Sequence, residues 1–435
     1  MQSGGGTAAG ALGVTRRGAA VRRGRIGEDL AVGASAAGLA LCLVLAGGIV
    51  LLLVRAGLAP FWPQPVIEYT LRDGSRVLGE LVLRRDDALI VRGDDQLRPG
   101  DGYVRLRQEE ILAERRPPDA IARVHVDGRH SYRRGGDDAH EPGIAAVEPR
   151  NALTFAGRLA FFGERLRAYA FGGDRPGDHG QGLLPALAGT LTLVLLMSLI
   201  VMPVGIAAAV HLHVYAGHGR LGTLVRGAVV SLAGVPSIVY GVLGLGLFVH
   251  GIGGGIDRWL YADRLPVPTF GTGGLLWAAL TLAVLTLPVV VATVEQGLSR
   301  IPDTQRLGSL ALGATRGETL RRLLLPQARP AVLSAWILAV ARAVGAVAPL
   351  MLVGVVKYAP ASPIDAAFPY LHPSRQFTHL GFAVYDQALI SPDALVGVPR
   401  AYSAALLLVA LVLVLNAAAG LVGRRLRDRD RAFTI

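Results

Sequence analysis

The 435-residue chain contains a single cysteine, Cys42, and a single lysine, Lys357. One cysteine can form neither an intrachain disulfide nor a thiolate cage around a metal. A P-loop requires a lysine after a glycine-rich turn, followed by serine or threonine, to hold the β- and γ-phosphates of a nucleotide. Because Lys357 lies in the segment GVVKYAP, which has neither feature, the chain carries no P-loop ATPase of its own.

Charge is also scarce, since charged residues make up 17% of the chain and hydrophobic residues 52%. A soluble chain with so little charge would have difficulty staying in solution. The composition therefore indicates a polytopic membrane protein and excludes intrinsically disordered and fibrous classes. The net charge is +12, and every basic residue that contributes to it, apart from Lys357, is an arginine.

Six apolar stretches are long enough to cross a hydrocarbon core, which takes about 20 helical residues. We place them near 31–54, 183–208, 227–250, 274–295, 331–356 and 402–422. The first follows a cluster of arginines, as a signal peptide does, but it exceeds the apolar length of roughly 7–15 residues in a signal peptide. We favour a retained anchor over a cleaved signal. The predicted fold class is an all-α polytopic membrane protein with six transmembrane helices.

Arginines collect beside these spans in a pattern that predicts their orientation. They lie in the amino-terminal tail 1–30, the loops 209–226 and 296–330, and the carboxy-terminal tail 426–435. Six spans place all four segments on one side of the membrane. We therefore expect both termini in the cytoplasm.

The segment 56–182 then lies outside, and it is too long and too polar for the charge rule to govern it. Runs such as VIEYTL, SRVLGELVL and ALIVR, with an Asp-Gly turn signal after the first, predict a small β-rich domain. We expect the run 112–142 to be rich in loops, 150–170 to form an amphipathic helix and 172–182 to be a linker. The insertion is interpreted as a spacer or lid over the outer mouth, or alternatively as a docking surface for a partner.

The loop 302–326 reads PDTQRLGSLALGATRGETLRRLLLP and predicts two helices joined by a turn. The first helix ends at Gly313, because glycine tolerates a left-handed cap. Thr315 and Glu318 form a T-x-x-E capping box that starts the second helix, and Pro326 is expected to end it. An ordinary interfacial connector is the alternative; a DNA-binding helix-turn-helix is a poor rival, since spans tether both ends.

Several segments resemble a known family. The spacing Gly313, nine residues, Leu323, one residue, Leu325-Pro326 reproduces the tail of the loop found in permeases of binding-protein-dependent ABC importers. The segments LAGVPSIVYGVLGLGLFV and ILAVARAVGAVAPLMLVGVVKYAP resemble the PstA family of phosphate permeases, in a large form with an outer insertion. The resemblance runs over about 183–425. It implies an ABC importer permease core of five helices behind helix 1 (31–54) and the insertion, in the bacterial cytoplasmic (inner) membrane.

The resemblance also implies a function and a set of partners. The chain would be the transmembrane permease subunit of an ATP-driven ABC importer for inorganic phosphate, not an enzyme, and without a cofactor or metal. ATP would be bound by a separate ABC ATPase dimer (PstB-like). A homologous permease subunit (PstC-like), an extracytoplasmic phosphate-binding protein (PstS-like) and membrane lipid complete the expected partners, with no nucleic acid. The expected ATPase-coupling residues are Gly313, Ala314, Thr315, Arg316, Glu318, Leu323, Leu325 and Pro326.

Arg342 lies near the middle of the fifth predicted span. A mid-bilayer arginine costs roughly 2.5–3.5 kcal/mol on insertion scales and rarely persists without a role inside the bundle. Because a guanidinium matches an oxyanion with two parallel hydrogen bonds, we interpret Arg342 as part of the anion path. A structural partnership with a carbonyl or with the partner subunit is the alternative.

Four further residues are candidates for the substrate path: Ser237, Tyr240, Thr293 and Glu295. Pro236 predicts a broken or kinked third span, beside which Ser237 and Tyr240 would hydrogen-bond either a passing anion or a neighbouring helix. Glu295 would gate the path, pair with an arginine of a neighbouring helix or lie solvated at a helix end.

Three acidic positions of the family are occupied here by Leu307, Ala346 and Val214. Three interpretations of this loss stay open. Arg342 is freer to meet an anion, the acids lie on a partner subunit instead, or the chain is a diverged copy with an altered substrate or impaired coupling. Three functional alternatives stay open: a permease for molybdate, tungstate or sulfate; a stand-alone secondary transporter or channel; and a membrane-anchored sensor. A secondary transporter predicts buried acids for ion coupling, which the spans almost lack.

Overall fold

The computed structural model describes residues 8–84, 88–93, 103–125, 130–135, 144–172, 182–216, 219–391 and 394–432. The chain divides into two compact units, Met1–Ala56 and Gly57–Ile435. In chain order the helices are α1 (Ala8–Leu58), α2 (Phe155–Phe171), α3 (Leu184–Tyr215), α4 (Arg220–Ala233), α5 (Ser237–Leu260), α6 (Leu275–Ser299), α7 (Asp303–Ala311), α8 (Arg316–Gly345), α9 (Ala348–Val353), α10 (Leu380–Ile390) and α11 (Ala394–Ala432). Helices α3, α5, α8 and α10 each include a π-helical segment.

Within the described residues, six helices are long and apolar enough to cross a membrane. The number confirms the predicted all-α polytopic class. The spans are Val32–Phe61, Leu184–Tyr215, Ser237–Leu260, Leu275–Ser299, Arg316–Gly345 and Gly397–Arg425.

The bounds predicted for the third span, 227–250, are wrong. Helix α4 ends at Ala233, and the apolar span begins only at Ser237, after Pro236. Proline lacks an N–H donor and disfavours helical geometry in the residue before it. The break predicted from Pro236 is therefore confirmed. The predicted bounds 227–250 joined two helices because they followed the apolar run and disregarded this proline.

Helix α6 forms the centre of the helical core, with Leu282, Leu285 and Val290 fully or almost fully buried. Small residues let its neighbours approach closely, as is typical of membrane helices. A Cβ added to Gly297 of α6 would lie 2.0 Å from the Cβ of Ala331 in α8. The packing of α6 against α8 therefore depends on a glycine at this position.

The β-rich insertion between α1 and α3 contains two antiparallel sheets. Its strands are β1 (Val66–Leu71), β2 (Arg76–Arg84), β3 (Ala88–Arg92), β4 (Tyr103–Arg107), β5 (Ile111–Arg115), β6 (Ala120–His125), β7 (His130–Arg134) and β8 (Ile144–Glu148). The sheet orders are β4-β3-β2-β1-β5 and β7-β6-β8. The Asp-Gly hairpin between β1 and β2 is confirmed, with Gly74 at φ +81°.

Within the run 112–142, which its composition suggested to be rich in loops, the described residues form most of β5 and all of β6 and β7. The segment AIARVHV, which holds β6, continues the strand pattern of the sequence. Residues Ala120 and Ala122 of β6 are fully buried, and cross-strand packing of this kind outweighs local composition. The predicted amphipathic helix is confirmed as α2, whose first turn is capped by Thr154. Most of the expected linker, 173–181, lies outside the described residues.

Two of the buried charges in the β-rich insertion, Arg150 and Glu68, are paired. Arg150 is 3% exposed and contacts the carboxylates of both Glu80 and Glu148. Glu68, which is 5% exposed, lies 2.8 Å from Arg134. Because pairing offsets the cost of removing each charge from water, these ion pairs hold the strands and the start of α2 together.

Candidate functional site

The loop 302–326 folds into the predicted hairpin of two helices. Helix α7 ends in a turn at which Gly313 has φ +90°, a value that glycine adopts without strain. The Glu318 N–H donates to the Thr315 hydroxyl at 3.2 Å, and the Thr315 N–H donates to the Glu318 carboxylate at 3.0 Å. The capping box is therefore confirmed.

Two side-chain contacts connect the two helices of this hairpin. The hydroxyl oxygens of Ser309 and Thr319 lie 2.9 Å apart, and the Gln327 amide donates to the Gln305 carbonyl oxygen at 2.9 Å. Because the turn, the cap and the contacts between helices are all satisfied locally, the hairpin is a preformed element.

Pro326 does not end the second helix, contrary to expectation. A π-helical segment, Leu320–Leu324, leads directly into an α-helical stretch that starts at Leu325 and runs to Gly345. Proline is tolerated in the first turn of an α-helical stretch, and the wider π turn changes the hydrogen-bond register just before it. The hairpin is thus continuous with the fifth membrane span.

The tip of the hairpin exposes an apolar side chain among arginines. Leu312 is 91% exposed and Leu307 58% exposed, and the arginines at positions 316, 321 and 322 are exposed as well. The two exposed leucines and the arginines around them form a mixed apolar and basic surface on this hairpin. Sequence reasoning missed Leu312, although an apolar residue immediately before a capping glycine was visible. Of the predicted coupling residues, Gly313, Thr315, Arg316 and Glu318 are exposed, and Ala314, Leu323, Leu325 and Pro326 are partly buried.

Two helix interruptions meet inside the helical core. Helix α8 ends at Gly345 and α9 begins at Ala348, while α4 and α5 are separated at Pro236. A Cβ added to Gly241 of α5 would lie 2.6 Å from the Cα of Pro349 in α9. The backbones of the two interrupted helices are therefore in direct contact.

Arg342 lies in the last turn of α8, immediately before this interruption. It is half-buried, and among the described residues its guanidinium has no hydrogen-bond or ion-pair partner. Its place at a helix C-terminus favours a cation. Ala346, four residues further on, is buried.

Tyr240 of α5 is buried beside Gly241, which contacts α9, and Ser237 lies three residues earlier in the same helix. The Tyr240 hydroxyl donates to the carbonyl oxygen of Leu232 at 2.7 Å, which is the bond between helices weighed as the alternative for this residue. Its oxygen retains lone pairs. Ser237 is half-buried at the start of α5.

Thr293 and Glu295 lie in a different part of α6, near its end. The Thr293 hydroxyl donates to the Val289 carbonyl at 2.7 Å, within its own helix. Glu295 accepts from Nε of Arg226 at 2.7 Å, so it is paired and not a solvated carboxylate. Arg226 also donates to the Leu212 carbonyl at 2.8 Å, and the pair joins α3, α4 and α6.

These two residues do not form one cluster with Arg342. Gly297, two residues after Glu295, contacts Ala331 of α8. Arg342 is eleven residues further along α8, or about 16 Å at 1.5 Å per residue. The candidate site therefore consists of Arg342, Tyr240 and the two helix interruptions. The Arg226–Glu295 pair is separate from it and connects helices α3, α4 and α6.

The described features, six spans and a preformed hairpin continuous with one of them, define a permease of the ABC importer class. The family of binding-protein-dependent transport system inner membrane components matches residues 201–428, and the chain belongs to that family. It is a multi-pass inner-membrane transport subunit, and membership of the family implies an ATPase and a binding protein as partners.

Three proteins of known name are similar to this chain. The probable ABC transporter permease protein YqgH of Bacillus subtilis (strain 168) is 35% identical over 192 residues, 44% of this chain and 58% of YqgH. The phosphate transport system permease protein PstA 1 of Mycobacterium tuberculosis (strain ATCC 25618 / H37Rv) is 32% identical over 250 residues, 58% of this chain and 72% of that protein. PstC of Xylella fastidiosa (strain Temecula1 / ATCC 700964), a phosphate transport system permease protein, is 29% identical over 210 residues, 46% of this chain and 64% of PstC.

Proposed function

We propose that this chain is a permease subunit of an importer for inorganic phosphate. The observation that carries the proposal is the Arg342 guanidinium, half-buried beside two helix interruptions and without a partner among the described residues. A guanidinium gives an oxyanion two parallel N–H donors, and interrupted helices surround substrate sites in transporters. The similarity to PstA 1 supports phosphate as the oxyanion.

The hairpin supplies the coupling surface in this proposal. Both termini and the hairpin lie in the cytoplasm, where Leu312 inserts into an apolar groove of a PstB-like ATPase and the surrounding arginines contact its rim. A PstC-like permease subunit and a PstS-like phosphate-binding protein complete the importer. A transporter that works alone needs no docking surface for an ATPase. The exposed leucine on the preformed hairpin therefore favours a partner-driven mechanism.

The substrate is tested by uptake of radiolabelled phosphate into proteoliposomes that hold the chain with its co-purified subunits and binding protein. Uptake is expected to require ATP and to be unaffected by a tenfold excess of sulfate, molybdate or tungstate. Displacement by one of these anions would assign the importer to another oxyanion. Uptake without the ATPase would contradict the coupling mechanism.

The coupling surface is tested by Leu312→Asp, which places a carboxylate at the proposed centre of the ATPase contact. We expect ATPase binding to weaken by about tenfold or more, as for a central interface residue, measured by co-purification and by transport-linked ATP hydrolysis. Leu265→Asp is the matched control, since Leu265 is also exposed but lies in the loop between α5 and α6. Normal co-purification of Leu312→Asp with normal hydrolysis would contradict the proposed surface.

A further inference from the structure

Helix α2, which follows the last strand of the β-rich insertion, is fixed to the ends of three membrane spans. The backbone carbonyl of Tyr169 accepts from the N–H of Leu183 at 2.7 Å, one residue before the second span begins. The Tyr169 hydroxyl donates to the Arg400 carbonyl at 3.0 Å, near the start of the sixth span. Its ring centroid lies 5.1 Å from that of Phe61, the last residue of the first span. The carboxy-terminal end of α2 therefore lies at the boundary of the bilayer.

One face of α2 is apolar along the whole helix. Side chains three or four residues apart on a helix lie on the same face. Five apolar or aromatic residues recur at these spacings: Phe155, Leu159, Phe162, Leu166 and Tyr169. They form a single apolar stripe that reaches from the first turn of α2 to its last.

The two ends of this stripe differ in what covers them. The Phe162 ring centroid lies 6.5 Å from that of Phe61 and 6.0 Å from that of Trp62. Towards the amino-terminal end, Phe155 is 74% exposed and Leu159 is 55% exposed. The stripe that packs against the end of the first span therefore continues along α2 as an uncovered apolar surface.

The charges of α2 suit the surface of a membrane. The helix contains three arginines and one glutamate, and Arg158 and Arg167 are exposed. A helix with one apolar face and cationic residues on its other faces binds in the plane of a bilayer interface, with the apolar face buried by about 5–10 Å. An arginine beside such a face keeps its guanidinium at the level of the lipid headgroups.

The amino-terminal end of α2 is joined to both sheets of the insertion. The Asn151 amide donates to the carbonyl oxygens of Val66 at 2.8 Å and Pro117 at 2.7 Å. The Arg165 guanidinium of α2 lies 3.7 Å from the carboxylate of Glu148 in β8. The helix thus connects the strands of the insertion to the ends of the spans.

We propose that α2 is an interfacial helix that binds a phospholipid surface and holds the β-rich insertion against the membrane. Phe155 and Leu159 insert among the acyl chains of the leaflet that faces the insertion, which is the outer leaflet in the orientation proposed above. Lipid is the occupant because the uncovered stripe is continuous with the end of a membrane span. The inference goes beyond the proposed function, since it holds for whichever anion the importer carries.

The test is the accessibility of spin labels on the purified full-length chain in phospholipid nanodiscs. The single native cysteine is first removed by Cys42→Ser, and Leu159→Cys then places a label on the stripe. Molecular oxygen concentrates in acyl chains, whereas a nickel chelate stays in water. The ratio of oxygen to nickel collisions should be several-fold higher at this label than at the matched control Glu164→Cys, which lies on the opposite side of α2 and is exposed.

A second pair keeps the test decisive if Leu159→Cys does not fold. Phe155→Cys should show the same preference for oxygen, and Ala160→Cys, which is exposed on another side of α2, should not. Equal ratios within both pairs would place the stripe in water and overturn the proposal. Labels on the stripe that collide with neither reagent would show that protein covers it, which overturns the assignment to lipid as well.

Discussion

The β-rich insertion and the helical core treat an arginine removed from water in opposite ways. Arg150 of the insertion is 3% exposed and contacts Glu80 and Glu148. Arg342 of the core is half-buried and has no partner among the described residues. A buried charge is tolerated in a fold when its partners are present, whereas a charge kept in a membrane span without them is available to a ligand. Burial alone therefore does not separate structural from functional arginines, but pairing does.

The strongest test of this contrast is Arg342→Ala. Removal of two charge-assisted hydrogen bonds to a desolvated anion costs about 3 kcal/mol, so phosphate uptake should fall by about a hundredfold or more. The variant should still assemble with its partner subunits, because the guanidinium bonds none of the described residues. Arg342→Lys keeps the charge without the parallel donors and should retain an intermediate rate. Wild-type uptake by Arg342→Ala would refute the role in the anion path.

Arg150→Met tests the structural half of the contrast. It leaves Glu80 and Glu148 without their cation, which should lower the free energy of unfolding of the β-rich insertion by about 3–5 kcal/mol. Limited proteolysis of the full-length chain within 57–172 measures the loss. Arg150→Met combined with Glu80→Gln and Glu148→Gln should recover much of it, since no unpaired charge remains. Equal resistance of the β-rich insertion to protease with and without Arg150 would contradict the distinction between paired, structural arginines and unpaired, functional ones.

A smaller effect is expected at the hairpin, where local bonds and not buried ion pairs hold the structure. Thr315→Ala removes the capping hydroxyl and should cost about 1 kcal/mol of local stability, seen as faster amide hydrogen exchange over 303–319. Unchanged exchange over these residues in Thr315→Ala would contradict the role of the capping box.

Features encoded over a few neighbouring residues could be predicted from the sequence. The capping box, the left-handed Gly313 and the break at Pro236 each depend on local backbone geometry. The passage of the helix through Pro326 could not be predicted, because it depends on a π-helical register change in the preceding turn. The pairing of Glu295 with Arg226 was one of several alternatives, since it joins residues 69 positions apart.

The uninterrupted course of α8 has a mechanical consequence. Arg316 at the hairpin and Arg342 at the candidate site lie at opposite ends of one rod, about 39 Å apart at 1.5 Å per residue. The Gly297–Ala331 contact divides the rod into arms of about 22 and 16 Å, and it would be the fulcrum of a tilt of α8 against α6. A swing of about 3 Å at the inner arm moves Arg342 by about 2 Å in the opposite direction, which is enough to break a hydrogen bond of about 2.9 Å. The stroke of an ATPase would thus be converted, by leverage alone, into the grasp or release of an anion.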